Sequence, residues 1–388
     1  MIFMRAFVLG AGMMGRAISY DLYHFSNFDE ILLGEKDRQT RTSAARFLQG
    51  TDVKVLSLDA QKIQKVTKCL HQGDIMISAL PYRYNYTLAQ KAIATKTHFI
   101  DLGGNNTIVE KERHLFSQAK QNKVAIIPDS GLAPGLVSII THDIVDHMEK
   151  VDSVKLRVGG LPRHPKPPFN YQIVFSPYGL INEYLEDALV LDHGKILTKK
   201  SMTEMETLHF PKPFGTMEAF LTSGGVSTLP YTYRHRIDYL DYKTIRYPGH
   251  CEKIKAILDL GFAEETKINC NGQMIAPRDV FATLLEKNVP TTGEDVVLLK
   301  VISQGLSQGK KRSREYLLID QYDKKANITA MMRTTGYPVS ITAQMIENGT
   351  IQDYGVFCPE EIIPPKEFFE ELKKRDISLS ISERSVLS

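Results

Sequence analysis

The residues with the clearest chemical purpose lie near the start of the chain. Gly10-Ala11-Gly12-Met13-Met14-Gly15 follows a short apolar run, Arg5–Gly10, and opens an amphipathic stretch. Between a strand and a helix, this GxGxxG spacing makes a dinucleotide-binding turn. Gly10 permits the tight bend, Gly12 lets the backbone approach a pyrophosphate, and Gly15 lets helix and strand pack closely. The helix start then offers free N–H groups and the positive end of its dipole to the phosphates. An acidic residue is expected about 20 positions on, and Glu35 closes the next apolar run. A carboxylate there accepts bonds from both ribose hydroxyls and repels a 2′-phosphate, which favours NAD. Lys36 and Arg38 pull the other way and would welcome the phosphate of NADP.

Ligands of open parallel sheets bind at the carboxyl ends of the strands. That places Ala79-Leu80-Pro81, the segment Asp101 to Asn105, and Asp129-Ser130-Gly131 around a nicotinamide, with Asp59 on the adenine side. Either Asp101 or Asp129 alone could simply cap a turn; together, each followed by glycine, they point to a site. Later in the chain, Gly159–Pro162 with Pro165–Tyr171 reads as a rigid exposed loop, and Thr222–Pro230 as a polar, flexible one. Arg246, in the segment Lys243–His250, is suited to clamp a carboxylate bidentately. His250 reads more readily as a hydrogen-bonding structural residue than as a proton shuttle. The four cysteines (Cys69, Cys251, Cys270, Cys358) show no CxxC spacing and the histidines no ligand pattern. They imply reduced thiols of a cytoplasmic protein and no metal.

The elements that must position these residues follow from periodicity. Up to about residue 150, short apolar runs alternate with amphipathic ones. Expected strands are Arg5–Gly10, Glu30–Gly34, Lys54–Leu58, Ile75–Ala79, Thr97–Asp101 and Lys123–Pro128. Expected helices are Gly12–Phe25, Arg38–Leu48, Ala60–Cys69, Tyr86–Ala94 and Thr107–Gln121. This predicts an α/β fold with a Rossmann-type doubly wound parallel sheet. From Val151 the pattern changes to period 2 with aromatic and Thr-rich pieces, among them Leu229–Tyr233 and Tyr239–Tyr247. Tyr316–Gln321 and Asn327–Met332 read as two strands joined by a turn, and helices are expected over Pro338–Glu347 and Pro365–Lys374. The resulting division is a dinucleotide-binding domain over 1–135, completed by 335–388, and an inserted α+β domain over 136–334.

Composition narrows the function. Of the 388 residues 43% are hydrophobic and 24% charged, with Lys+Arg 48 against Asp+Glu 45 for a net +3. This balance gives no reason for a nucleic-acid partner. No apolar run reaches the roughly 18 residues of a membrane span. The glycines at 10, 12 and 15 and the following Arg16 also break the opening apolar run, so a buried strand is expected there in place of a signal peptide.

In chain order, GAGMMGRA, ISALP, FIDLGG, PDSGLAPG, GGLP, SGGVSTLPYT and RYPGHCEKIKAILDLGF resemble the saccharopine dehydrogenase family, most closely its lysine 6-dehydrogenase branch. The resemblance implies NAD(P)-dependent oxidation at the C–N bond of an amino acid and a homodimer formed through the inserted domain. It assigns cofactor contacts to the turn Gly10–Gly15 and Glu35, and the substrate-side aspartate to Asp129. Thr244 and Arg246 would hold the amino-acid end, with Asn105, Ser223 and Tyr171 completing the substrate side. Saccharopine reductases carry an arginine in the loop that here reads Ser223-Gly224-Gly225, and its absence favours the smaller substrate, lysine. Saccharopine or a carboxy-polyamine is the alternative within the family. A nucleotide-binding regulator without turnover fits less well beside Asp129, Arg246 and an intact glycine turn.

Overall fold

The structure is a computed structural model that describes residues 4–174 and 176–386. The chain divides into two compact units. One comprises Met1–Asp146, Ser227–Leu229 and Met332–Ser378; the other comprises His147–Val226, Pro230–Met331 and Leu379–Ser388.

In the first unit the expected strands form within a residue or two of their predicted ends: β1 (Arg5–Leu9), β2 (Glu30–Glu35), β3 (Lys54–Ser57), β4 (Ile75–Ser78), β5 (His98–Asp101) and β6 (Ala125–Ile127). All pair in parallel, in the order 3-2-1-4-5-6, with the short strand Gly355–Val356 added beyond β6. The order reverses between β1 and β4, where a doubly wound sheet opens a crevice at its strand carboxyl ends. Side chains from both strand faces, such as Val8, Leu9, Ile77 and Ile100, are excluded from solvent, which is why these strands read as unbroken apolar runs. Side-chain caps set where two helices begin. Asp37 accepts from Thr40 N at 2.7 Å to start Arg38–Phe47, and Asn105 Oδ1 accepts from Ile108 N at 3.1 Å to start Asn106–Arg113. The single helix expected over Thr107–Gln121 is two, Asn106–Arg113 and Phe116–Gln121, and the break lets Leu115 turn into the core.

The second unit is built on a mixed sheet whose main path runs Glu206–Phe210, Gly215–Leu221, Ile237–Arg246, Lys150–Pro162, Asp295–Ser307, Lys310–Gln321, Ser380–Ser385. Ile237–Arg246 and Lys150–Pro162 are parallel; the other pairs on this path are antiparallel. Arg157 is sealed within the unit because Asp241 takes both its Nη atoms, at 2.8 and 3.0 Å, and Glu206 takes Nε.

Several expectations are corrected here. Gly159–Pro162 is no exposed loop but the buried end of a strand, with Gly159 pressed against the Ile245 backbone where a Cβ would not fit. The Thr222–Pro230 loop is largely buried. Leu229–Tyr233 is a helical turn, and Asn327–Met332 forms no strand. Lys310–Gln321 pairs back on Asp295–Ser307, and the Asp295 carboxylate then accepts from Ala330 N at 2.7 Å and Met331 N at 2.9 Å. This long-range cap starts the helix Ala330–Glu347 well before the expected Pro338. Most of the helix Leu136–His147 belongs to the first unit, whereas strand Ser380–Ser385, expected to complete that unit, pairs in the second sheet. Both edges of the main path are short strands, and Ser380–Ser385 carries Glu383 and Arg384. Short, charged edges are a protected form.

The C-terminal part of the first unit is tied down by one buried ion pair. Arg375 Nε donates to both oxygens of Asp21 at 2.8 and 2.9 Å, and its Nη2 reaches Gln344 Oε1 at 3.1 Å, with neither charged side chain exposed. Removing one partner leaves a buried charge uncompensated, at a cost of about 3–5 kcal/mol. Arg375→Met is therefore expected to lower the thermal unfolding midpoint sharply, and the Asp21→Leu/Arg375→Met double variant to lower it less than either single change.

Candidate active site

The glycine turn shows why each glycine is needed where it stands. Gly10 leaves β1 with φ +96°, a conformation that L side chains rarely adopt, and its N–H donates to Gly34 O at 2.8 Å. A Cβ on Gly15 would run into the Gly10 carbonyl. A Cβ on Gly12 would meet nothing within 4 Å, so this glycine is not required by the protein's own packing. Backbone left bare at the start of the helix Met13–Phe25, where Met13 and Met14 form the first turn, fits the close approach of a pyrophosphate.

Glu35 lies at the end of β2 beside this turn, but its carboxylate is already engaged. Oε2 accepts from Ala11 N at 3.1 Å and Oε1 from Asp37 N at 2.9 Å. A cavity of about 240 Å³ adjoins it, lined by Glu35, Lys36, Asp59, Gln61, Arg83 and Tyr84 among others. Leu80 and Pro81 line the same cavity, and Ala79 is bonded through its N–H to Leu9 O at 2.8 Å. Arg83 stacks on the Tyr84 ring, 4.9 Å from its centroid, and Gln61 Nε2 donates to Tyr84 Oη at 2.8 Å. The structure thus gathers Gly10–Gly15, Glu35, Lys36, Asp59 and Ala79–Pro81 into one region at the strand carboxyl ends. Arg83 and Tyr84 were not anticipated, since an arginine and a tyrosine in a short helical turn carry no motif.

Farther along the strand ends, Asp101 and Asp129 stand side by side. Asp101 Oδ1 accepts from Gly103 N at 2.6 Å, and Ser130 N donates to the Asp101 carbonyl at 2.9 Å. Asp129 has φ +60°, unusual for a non-glycine residue, and its Oδ2 accepts from Ser227 Oγ. Gly103 lies so close that a Cβ there would overlap Asp129 Oδ1. Burial, and then the negative charge of Asp101, push the Asp129 carboxyl up to about 7, although the Ser227 hydrogen bond works in the opposite direction. Ser227 escaped the sequence reading because it sits in a Gly/Ser/Thr run where no one hydroxyl stands out. Asn105, expected on the substrate side, uses its side-chain oxygen to cap a helix.

In the second unit a polar cluster surrounds Arg246, which is 3% exposed. Its Nε donates to Tyr184 Oη at 2.9 Å and its Nη1 to Thr244 Oγ1 at 3.1 Å, while Glu183 lies 3.6 Å from Nη2. The guanidinium also lies over the rings of Tyr171 and Tyr184, at 4.9 and 5.7 Å. His250 joins Tyr184 Oη at 3.0 Å and the Phe169 carbonyl at 3.0 Å, and burial drives its pKa down to about 3, so it is neutral. Its two partners fix the roles of its ring nitrogens: Nδ1–H donates to the carbonyl and Nε2 accepts from the tyrosine. The buried Tyr171 hydroxyl has no partner, and Thr222 faces Glu183. Thr244, Arg246 and Tyr171 thus belong to one cluster, and Ser223 is joined to it through its N–H, which donates to Glu183 O at 3.1 Å. Glu183 and Tyr184, unremarkable in the sequence, are further members. Asp129 is a residue of the first unit and Arg246 of the second.

A doubly wound sheet with a bare-backbone glycine turn, an acidic residue at the end of β2 and a carboxyl poised near neutrality defines a dinucleotide-dependent oxidoreductase. Comparison with known proteins gives the family. Residues 6–127 match the saccharopine dehydrogenase NADP binding domain and residues 131–377 the saccharopine dehydrogenase C-terminal domain, and the chain belongs to the saccharopine dehydrogenase family. The saccharopine dehydrogenase (NADP(+), L-glutamate-forming) of Saccharomyces cerevisiae is 22% identical over 87% of this chain and 90% of its own length. The mitochondrial alpha-aminoadipic semialdehyde synthase of Mus musculus is 22% identical over 66% of this chain and 28% of its own. Among solved structures, the apo form of the yeast saccharopine dehydrogenase shares the fold with a TM-score of 0.81, at 21% identity over 98% of this chain and all of its own. The homospermidine synthase of Legionella pneumophila follows with 0.67, at 15% identity over 98% of this chain and 91% of its own.

The two glycines should separate binding from folding. Gly12→Ala is expected to leave the unfolding midpoint close to wild type and to weaken dinucleotide binding at least tenfold, about 1.4 kcal/mol. Gly15→Ala should lower both. Calorimetric titration with NADP and NAD, beside a thermal melt of each variant, checks this.

Proposed function

We propose that the protein oxidises the C–N bond of an amino acid, with Asp129 as the base and Arg246 as the clamp for a substrate carboxylate. The observation that carries this reading is the Asp129 carboxyl, buried and raised to about 7 within the crevice of a dinucleotide-binding sheet. The bound cofactor supplies the hydride acceptor. An ammonium has no lone pair, so its nitrogen must first be deprotonated, and its reference pKa of about 10.4 shows that help is needed. The Asp129 carboxylate takes that proton; as the hydride departs from carbon, the nitrogen lone pair forms the C=N bond, and water then releases the carbonyl product and the amine. Arg246 is always charged, and its nearest carboxylate, Glu183, is at 3.6 Å, longer than a hydrogen bond, which leaves Nη2 able to bind an incoming carboxylate.

Two substrates follow. The other fully buried arginine of the second unit, Arg157, is consumed by Asp241 and Glu206, so Arg246 offers this unit's cluster one carboxylate-binding group, which supports lysine and its ε-amine. The names of the curated relatives support saccharopine, whose oxidation is the same chemistry at a secondary amine. Nicotinamide absorbance with lysine, saccharopine and lysine analogues lacking either the α-carboxylate or the α-amine decides between them. Arg246→Ala should abolish the discrimination between a substrate and its decarboxylated analogue. Turnover of none of these compounds would sink the reading.

The pH dependence has a definite sign. Asp129 works as a carboxylate, so kcat/KM should rise through pH about 7 and be lost below it. Asp129→Asn should remove this limb and lower kcat by about 10²–10⁴-fold, the usual worth of a general base.

We further propose NADP as the preferred dinucleotide. Backbone N–H groups already engage both oxygens of Glu35, and Lys36 and Arg83 flank the same cavity. The Lys36→Ala/Arg83→Ala variant should weaken NADP about tenfold or more and leave NAD nearly unchanged, as expected when charge-assisted hydrogen bonds to a phosphate are lost. Equal losses for both dinucleotides, or tighter NAD in the wild type, would return the preference to NAD.

A further inference from the structure

Glu112, on the helix Asn106–Arg113, is fully buried, and neither of its carboxyl oxygens has a hydrogen-bond partner. It abuts Asp101, whose Oδ2 is likewise unpartnered, and Asp101 in turn neighbours Asp129, whose carboxylate faces the Ser227 hydroxyl and the Gly104 N–H. Among the described residues, none of the three forms an ion pair. The polar groups nearest them are uncharged: the Asn85 amide, whose Oδ1 accepts from Ser78 Oγ at 2.8 Å, the Ser227 hydroxyl, the Gly103 and Gly104 N–H groups and the Cys358 thiol. Beyond that thiol lie Glu360, Glu361 and Arg113, whose Nη1 donates to Cys358 Sγ at 3.4 Å and to Glu361 at 2.7 Å. Three buried carboxylates with no cation paired to them cannot all be ionised. Two carboxyls in contact with no donor between them require a proton in that contact.

We propose that Glu112 is a positioning residue for the base Asp129: a carboxyl that stays protonated and donates its O–H to Asp101, holding Asp101 ionised so that Asp129 is the group that gains and loses the reaction's proton. This rests on the reading of Asp129 as the base. The energetics agree in direction. Burial, followed by the charges of Asp101 and Asp129, pushes Glu112 up to about 11, while Asp101 rises only to about 6, held back by the hydrogen bonds it receives. An ionised Asp101 beside Asp129 raises the latter, so whatever neutralises Asp101 must lower it. Glu112 thus acts on the reaction without touching a substrate. No proton leaves it during turnover; the proton taken from the amine goes to Asp129 and returns to solvent from there.

The test is the pH profile of kcat/KM for dinucleotide reduction by the full chain, in four variants. Glu112→Gln keeps a donor toward Asp101 through its amide N–H and should preserve the acid limb. Glu112→Leu removes the donor, so Asp101 takes a proton itself. The limb should then move down by roughly one pH unit, the scale of a lost like-charge neighbour. Asp101→Asn removes the same charge by another route and should shift the limb in the same direction, which decides the matter should the leucine variant fail to fold. Asp129→Asn in the same assay separates the two readings. If it keeps the limb, Asp129 is not the base; if it loses the limb while neither Glu112→Leu nor Asp101→Asn moves it, the role of Glu112 alone is overturned. A shift with Glu112→Gln as large as with Glu112→Leu would also overturn it. Infrared spectroscopy gives a readout that needs no substrate. At about pH 8, where solvated glutamates with reference pKa of about 4.3 are ionised, the wild type should retain a protonated-carboxyl stretching band that Glu112→Gln lacks, and its absence from the wild type would refute the proposal.

Discussion

The turn from β1 into the helix Met13–Phe25 works only because two backbones touch at Gly15, where the Gly10 carbonyl occupies the place a side chain would fill. That contact sets the axis of the first helix and brings its free N–H groups up to the crevice, and it places Ala11 N where Glu35 can accept from it. Parallel pairing carries the same alignment across the sheet, so that the ends of β4 and β5 and the turn after β6 fall in one row. Ser78, Asp101 and Asp129 hold their positions through that registry, by direct strand pairing for the first two and, for the third, through the adjacent Ser130 N–H, which donates to the Asp101 carbonyl. Had the helix been displaced by even a methyl group, the glycine turn and Asp129 would no longer belong to one frame.

The two units handle buried charge in opposite ways. In the second, Arg157 is held by two carboxylates, whereas Arg246 is held by a hydroxyl network and two aromatic faces, with Glu183 beyond hydrogen-bond distance of Nη2. In the first, Asp21 and Arg375 neutralise each other, yet among the described residues Asp101, Glu112 and Asp129 are buried with no ion pair. A paired charge fixes geometry; an unpaired one stores a proton. That contrast separates the groups that hold the architecture from those suited to chemistry.

The first unit was legible because its signals are local. Six apolar runs, a glycine motif and Asp37 at a helix start each speak for themselves over a few residues. The cofactor residues follow, since they hang on strand ends that the periodicity locates. What could not be read was whatever depends on distant partners. Asp295 starts a helix 35 residues later in the chain, and nothing around Ala330 announces it. Gly159–Pro162 has loop composition but lies in a strand, because Ile245 approaches too closely for larger residues. Glu35 looked free to bind a ribose until two backbone N–H groups were seen to claim it. Ser227, Glu183 and Glu112 have ordinary neighbours in sequence and matter only through what faces them.

The division of the chain has a consequence for its biosynthesis. Going from one end to the other, the backbone passes between units after Asp146, Val226, Leu229, Met331 and Ser378. A ribosome would therefore present six of the seven strands of the first sheet long before the segment that supplies Arg375 has been made. Until then Asp21 is a carboxylate bound for an apolar interior with no counter-charge, and Asp129 lacks the hydroxyl of Ser227. The nascent first unit cannot settle into its final form as an independent N-terminal module. It must wait, partly assembled, for about the last tenth of the chain, an interval in which exposed apolar strands are open to capture by chaperones.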